Sequence, residues 1–256
     1  MDQANSLRRR IEDGDVVLGA RAATFSPTVV ELYGELGVDF VWLDFEHTGP
    51  SPYDSTVFEG LTRAAELGGT ELMVRLPSGD PPLIRKVLDA GVRTILIPRV
   101  DDASEVREAV KATRFVSEDG PGERGKASGR SSTWGRAEDY VATEDAEVCL
   151  GVMIEKAGAV EDLDEILSVP DLGFAFIGPS DLSVQLGHPH ERDHPEVAET
   201  VDTIRDACLD AGVPVGCIHH DADAARAAID EGYQIVRVGG ELASAQQVLG
   251  ERLDAI

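Results

Sequence analysis

Eight short apolar runs, each followed by a stretch with helical signals, constrain this chain more than any other feature. The runs are Val16–Ala20, Phe40–Leu43, Thr70–Arg75, Thr94–Pro98, Val148–Ile154, Phe174–Ile177, Val215–Ile218 and Ile235–Val238. Each has the length and near-continuous apolar character of a strand buried on both faces. Ser26-Pro27 reads as an N-cap with proline at the first helical position, opening a helix that Gly37 closes. Further helices are predicted over Ser6–Glu12, Asp80–Ala90, Asp102–Ala112, Ala159–Leu167, Pro195–Ala211, Asp221–Glu231 and Leu242–Leu253. Strands alternating with helices demand parallel pairing through crossover connections. Eight such units in 256 residues favour closure into an α/β fold of the (β/α)8, or TIM, barrel type, one domain spanning 1–256. A doubly wound open sheet lacks support, because no Gly-x-Gly-x-x-Gly follows a strand and opens a helix.

Charge narrows the setting. The chain has 48 acidic and 23 basic residues, a net charge of −25, and only four lysines (Lys86, Lys111, Lys126, Lys156). At 42% hydrophobic residues it is nevertheless a folding chain, not a disordered one. Such a surface suits a cytosol of molar salt, where the Debye length is about 3 Å; at low salt the same charge strains the compact state. The expectation is a protein of a halophile. No basic stripe forms, so nucleic acid is excluded as a partner. No apolar run approaches a membrane span, and the first residues lack a signal-peptide core. Cys149, Cys208 and Cys217 are scattered and lack metal-site spacing, which predicts buried thiols in the reducing cytoplasm.

In a β/α barrel the reactive groups gather at the carboxyl ends of the strands. Asp44, Glu46, His47, Arg75, Glu155 and Asp181 all fall there. Glu155 and Asp181 flank one βαβ unit, so both acids should face one mouth, where a pair of carboxylates seats a hard divalent cation. The plainer alternative makes Glu155 a solvated strand-end acid and Asp181 a turn cap. An aspartate near His47 would raise the basicity of the imidazole. The stretch Phe115–Tyr140, rich in Gly, Ser and Arg, is long enough to predict a loop that covers a site or joins a partner. His188, His190 and His194 read as loop residues near the mouth, and His219-His220 ends the seventh strand; none is given a role. Lys156 is the one lysine placed for Schiff-base chemistry, but it follows Glu155 and should point the opposite way.

Taken together and in order, Asp44-x-Glu46-His47, Val74-Arg75, Ile97-Pro98, Arg124-Gly125, Ile154-Glu155 and Ile177-Gly178-Pro179-Ser180-Asp181-Leu182-Ser183 resemble the HpcH/HpaI aldolase family, the metal-dependent class II pyruvate aldolases. The resemblance runs from about Leu7 to the last helix. It implies a TIM barrel whose C-terminal helix is swapped between subunits, a hexamer built as a trimer of dimers, and sites completed by a neighbouring subunit. It further implies Glu155 and Asp181 as ligands to a divalent metal (Mg²⁺ or Mn²⁺, with Co²⁺ a further candidate). Arg75 would bind the pyruvate keto oxygen, and His47, paired with Asp44, would act as general base. The N–H groups around Ser180 and Asp181 would receive the pyruvate carboxylate, with Glu46 in support. The reaction implied is cleavage of a 4-hydroxy-2-oxo acid, such as a 2-keto-3-deoxy sugar acid, to pyruvate and an aldehyde. The alternatives are an oxaloacetate decarboxylase or acyl-CoA lyase of the same superfamily, or a non-catalytic barrel that only binds. Three positions depart from the family pattern: Phe45 for a common Gly, Met153 for a Gln, and Arg21 for an aromatic residue. Arg21 is therefore expected to meet an anionic or hydroxylated substrate tail.

Overall fold

The structure, a computed structural model, describes residues 4–117 and 120–256. Eight parallel strands close into a barrel: β1 Val17–Arg21, β2 Phe40–Asp44, β3 Glu71–Arg75, β4 Thr94–Ile97, β5 Cys149–Ile154, β6 Leu172–Ile177, β7 Val215–Ile218 and β8 Ile235–Gly240. Each strand pairs with its sequence neighbours, and β1 pairs with β8 through Val17↔Ile235 and Gly19↔Arg237 to complete the ring. The strands match the eight apolar runs to within a residue or two, because burial on both faces selects apolar residues along their whole length.

Two cores result. One lies between the barrel and its helices. The other fills the barrel interior with Phe40, Trp42, Met73, Leu96, Phe174 and Phe176 among its members. Burying one such side chain contributes about 1.5–3 kcal/mol. Gly19 and Gly151 make room for them: a Cβ at either position would stand inside the ring of Phe40 or Phe174, respectively. At the amino end of the barrel the helix Ser6–Glu12 lays Leu7 and Ile11 against the interior cluster, and Asn5 ties this helix to β4 through Thr94 Oγ1 at 3.0 Å. All three cysteines are buried, and burial pushes each thiol up to about 12.

Two elements differ from the sequence reading. A 14-residue helix, Ser55–Gly68, links β2 to β3, N-capped by Asp54 and closed by Gly69 at φ 71°; the sequence reading placed no element there. The Phe115–Tyr140 stretch holds a small hairpin (Val116–Ser117 with Gly120–Pro121), while 118–119 lie outside the described residues. Its described contacts are at the amino ends of the strands and not over the mouth. Buried Arg124 reaches Glu144 at 2.6 Å, and the same carboxylate takes Arg93, just ahead of β4, at 2.6 Å. Arg130 pairs with Glu66, near the end of Ser55–Gly68. Guanidinium groups this deeply buried need a carboxylate, and the available acids stand at that end.

Candidate active site

The carboxyl ends of the strands form one mouth, and Asp44 is its most connected residue. It ends β2 in register with Arg75, which ends β3. Arg75 holds it with a two-pronged grip, Nε to Oδ1 at 3.0 Å and Nη2 to Oδ2 at 2.8 Å. Arg21 Nη2, from the end of β1, adds a third contact to Oδ2 at 3.1 Å. The backbone N–H groups of Glu46 and His47 also donate to Oδ1, at 3.2 and 3.4 Å, so the aspartate shapes the turn that follows it. Burial works to raise the Asp44 pKa, but Arg75 and then Arg21 override it and leave the carboxyl below its ordinary value.

The imidazole of His47 sits differently from the expected pairing with Asp44. Its Nε2 lies 3.4 Å from Glu46 Oε2, and the side chain is 61% exposed. The reason is stoichiometric: both Asp44 oxygens are already occupied by arginines, so only the His47 backbone N–H reaches it. Glu46 in turn stands 2.8 Å from Arg75 Nη1, close enough for charge pairing but without hydrogen-bond alignment at Oε2. Burial, ahead of its charged neighbours, pushes the Glu46 carboxyl up.

Glu155 directly follows β5 and is 2% exposed. Its Oε1 accepts the Arg99 backbone N–H at 2.9 Å, and Oε2 rests against Gly178, where any Cβ would collide with it. Asp181 lies in the first turn of the helix Pro179–Gln185 after β6, and its Oδ1 accepts from Arg99 Nη1 at 3.0 Å. A single residue, Arg99, two positions past the end of β4, thus holds both acids. Arg99 takes φ 55°, a left-handed conformation unusual for a side-chain-bearing residue. Burial, followed by repulsion from Asp181, pushes the Glu155 carboxyl up to about 7. Two carboxylates near enough to repel each other and both held by Arg99, with no His or Cys joining them, are a donor set for a hard divalent cation.

The departures from the family pattern have distinct surroundings. Phe45 is buried outside the barrel against Phe25 and Phe58, with ring centroids 4.8 and 4.5 Å apart, so its bulk serves packing. Met153 is buried with its Sδ 3.6 Å from Arg75 Nη1. Arg21 contacts Thr48 Oγ1 as well as Asp44. Lys156 turns away to Asp101, at 2.6 Å. Ser180 offers its carbonyl to Ser183 Oγ at 2.7 Å. His188 and His194 stack 3.5 Å apart on the loop leading to the helix Pro195–Ala211, and His188 pairs with Glu196 at 2.8 Å; His190 and His219-His220 join neither this group nor the acid pair by any described contact.

Sequence reasoning missed two residues. Arg99 is signalled only by its place directly after Pro98 at a strand end. Arg237, in the middle of β8, is 8% exposed and stands over Trp42, 5.5 Å from the ring centroid. A lone arginine in an apolar run reads as an outward side chain, yet its register beside Gly19 turns it inward.

A family profile described as HpcH/HpaI aldolase/citrate lyase matches residues 21–247. The 2-keto-3-deoxy-L-rhamnonate aldolase of Escherichia coli (strain K12) is 33% identical over 252 residues, covering 98% of this chain and 92% of that protein. Among solved structures, an HpcH/HpaI aldolase/citrate lyase family protein from Burkholderia cenocepacia J2315 superposes with TM-score 0.92 at 31% identity, covering 98% of this chain and 99% of that one. The citrate synthase SbnG superposes with TM-score 0.85 at 26% identity, covering 98% and 96%. With its barrel, its strand-end residues and these relatives, the chain belongs to the HpcH/HpaI aldolase/citrate lyase family.

Proposed function

We propose that this protein is a divalent-metal-dependent aldolase that cleaves a 4-hydroxy-2-oxo acid, of the 2-keto-3-deoxy sugar acid type, to pyruvate and an aldehyde. The observation that carries the reading is the convergence of Glu155, Asp181, Arg75, Asp44 and His47 on one barrel mouth. The likeness to a 2-keto-3-deoxy-L-rhamnonate aldolase over nearly the whole chain supports the substrate class. Glu155 and Asp181 hold the metal, Mg²⁺ or Mn²⁺. When bound, the ion supplies a Lewis acid at the 2-oxo group.

Each residue then has a task set by its chemistry. The Ser180–Asp181 backbone N–H groups orient the substrate carboxylate. His47 accepts the C4 hydroxyl proton. The C3–C4 bond breaks, its electron pair stays on C3 as the enolate of pyruvate, and the aldehyde departs. Arg75, fixed in plane by Asp44, has donors to spare for the oxygen on which negative charge grows. Water protonates C3 to complete pyruvate, and His47 returns the proton it accepted to solvent. We assign Arg21, held by Asp44 and Thr48, to the aldehyde half of the substrate. The test is pyruvate release from a panel of 4-hydroxy-2-oxo acids at high salt, after chelation and again with Mg²⁺, Mn²⁺ or Co²⁺ restored. Restoration of pyruvate release by an added ion supports the reading; inactivity on every acid with every ion removes it.

The assembly we infer is a homo-oligomer, a hexamer built as a trimer of dimers that exchange the last helix. That helix, Glu241–Asp254, buries none of its residues and exposes Leu242, Val248, Leu249 and Leu253, an apolar stripe suited to a second copy. The acidic, lysine-poor surface supports a halophilic, cytoplasmic setting for the barrel 1–256. No described helix is long and apolar enough to cross a membrane.

A further inference from the structure

His188, His194 and Glu196 form a cluster that the aldolase chemistry leaves without a task. Each offers one ligand atom, and the three atoms lie within 4.8 Å of one another. The segment that carries the two histidines joins the helix Pro179–Gln185 to the helix Pro195–Ala211, and its backbone is tied down at both of them. The His188 N–H donates to the Ser183 carbonyl at 2.7 Å, and the His194 N–H donates to the Glu191 carbonyl at 3.0 Å. The two rings stack with centroids 3.5 Å and planes 16° apart. The His188 side chain is only 24% exposed, and its Nε2 stands 2.8 Å from Glu196 Oε2. Nδ1 of His194 accepts the Glu196 N–H at 3.3 Å as the N-cap of the second helix, so that nitrogen carries an unprotonated lone pair. Two imidazoles and a carboxylate are thus gathered on a fixed backbone around one point.

We propose that His188, His194 and Glu196 form a second metal site, for Zn²⁺, separate from the carboxylate pair at the mouth. Three atoms no more than 4.8 Å apart share a centre about 2.8 Å or less from each of them, and Zn²⁺ asks for about 2.0–2.2 Å from a His nitrogen or a carboxylate oxygen. The remaining adjustment is a tilt of each ring about its Cβ–Cγ bond, which turns the two nitrogens from side by side toward the same centre. The ion replaces the contact between His188 and Glu196 and takes the His194 lone pair from the helix N–H, and water fills the fourth position. Imidazole selects Zn²⁺ here, whereas Mg²⁺ and Mn²⁺ prefer the all-oxygen pair Glu155 and Asp181. Exposed Glu191 and Asp193 on the same segment raise the local concentration of cations. The consequence is mechanical. The His188 N–H holds the Ser183 carbonyl, and Ser183 Oγ donates to the Ser180 carbonyl at 2.7 Å, so an ion at this site braces the turn that carries Asp181 against the helix that follows. The proposal does not rest on the aldolase reading.

The test adds Zn²⁺ to the full-length, metal-depleted protein with Mg²⁺ in large excess. Binding is read by competition with a chromophoric chelator, and Tm by scanning calorimetry. The wild type should take one equivalent of Zn²⁺ per chain, and its Tm should rise as an ion that binds only the folded chain requires. The Glu155→Gln protein should take the same equivalent, which separates this site from the mouth. His188→Gln and His194→Asn, the latter retaining a good helix cap, should each weaken Zn²⁺ binding at least about 100-fold, more than the loss of an outer-shell partner causes, and abolish the rise in Tm. His190→Asn should change neither. With Cu²⁺ as the probe, pulsed electron paramagnetic resonance of the wild type should show coupling to two imidazole nitrogens, a readout that stands even if a variant fails to fold. Absence of Zn²⁺ binding above the Mg²⁺ background, binding that survives His188→Gln, or binding lost in Glu155→Gln or His190→Asn would overturn the site. A wild type that binds Zn²⁺ in this pattern yet cleaves no 4-hydroxy-2-oxo acid leaves the site standing and removes the aldolase reading alone.

Discussion

Asp44 holds two arginines and two backbone N–H groups with one carboxylate, so its charge cannot be removed without consequences for all four. Asp44→Asn should lower kcat/KM by about 10²- to 10³-fold, the usual effect of losing one aligned donor at a developing oxyanion, because Arg75 is no longer fixed. It should also cost about 3–5 kcal/mol of stability by leaving buried guanidinium groups unpaired, measured by urea unfolding at constant salt. Glu155 behaves in the opposite sense. Its folded pKa of about 7 lies above the ordinary value of 4.5, so the metal-free fold holds a proton there that the unfolded chain releases. This group's contribution to stability is present below about pH 4.5 and is lost as pH rises through 7. Divalent ion binding requires the deprotonated acid and should weaken as pH falls below 7, with proton release on binding that grows over the same range. Calorimetry in buffers of different ionisation enthalpy measures both; affinity that does not change between pH 6 and 8 would contradict it.

At the level of elements, the β4–helix turn is where local and tertiary demands conflict. Arg99 adopts φ 55° so that its N–H meets Glu155 while its side chain meets Asp181. Arg99→Gly keeps the backbone contact, relieves about 1–2 kcal/mol of left-handed strain and should not lower the Tm, while removing the guanidinium from Asp181. Tighter Mn²⁺ binding in this variant is the expected outcome, since one positive charge leaves the ligand pair. This turn also illustrates what a sequence carries and what it does not. Strands were legible because period and burial select the same residues. The helix Ser55–Gly68 went unread although Asp54 caps it and Gly69 ends it, because the preceding turn residues merged with the loop after His47. Glu155, Asp181 and Arg75 were readable from their place at strand ends. The partner of His47, the strain at Arg99 and the inward turn of Arg237 depend on which oxygens and which interior volume other residues have already filled. Phe45 departs from the family pattern in the sequence, and only the fold shows that it packs against Phe25 and Phe58 outside the barrel.

For the whole molecule, a net charge of −25 acts on every interface at once. Screening reduces the Debye length from about 30 Å at 0.01 M to about 3 Å at 1 M, so Tm should rise steeply with KCl over that range. The proposed oligomer should dissociate at the low end, as read by light scattering. A Tm that is flat or falls with KCl would count against the halophilic reading, leaving the site untouched. Acids cover the surface, yet the barrel mouth gathers Arg21, Arg75, Arg99 and Arg237 around its four carboxylates. The mouth is thus close to charge-balanced within an acidic body, so an anionic substrate meets less repulsion there than elsewhere on the surface.

The central claim, that Glu155 and Asp181 share one divalent cation, is tested most directly by electron paramagnetic resonance titration of free Mn²⁺ against the chelated protein, its Glu155→Gln variant and its Asp181→Asn variant. The account predicts one Mn²⁺ bound per chain by the wild type and loss of that binding in both variants, with circular dichroism unchanged. Equal binding by all three proteins would place the ion elsewhere and contradict it.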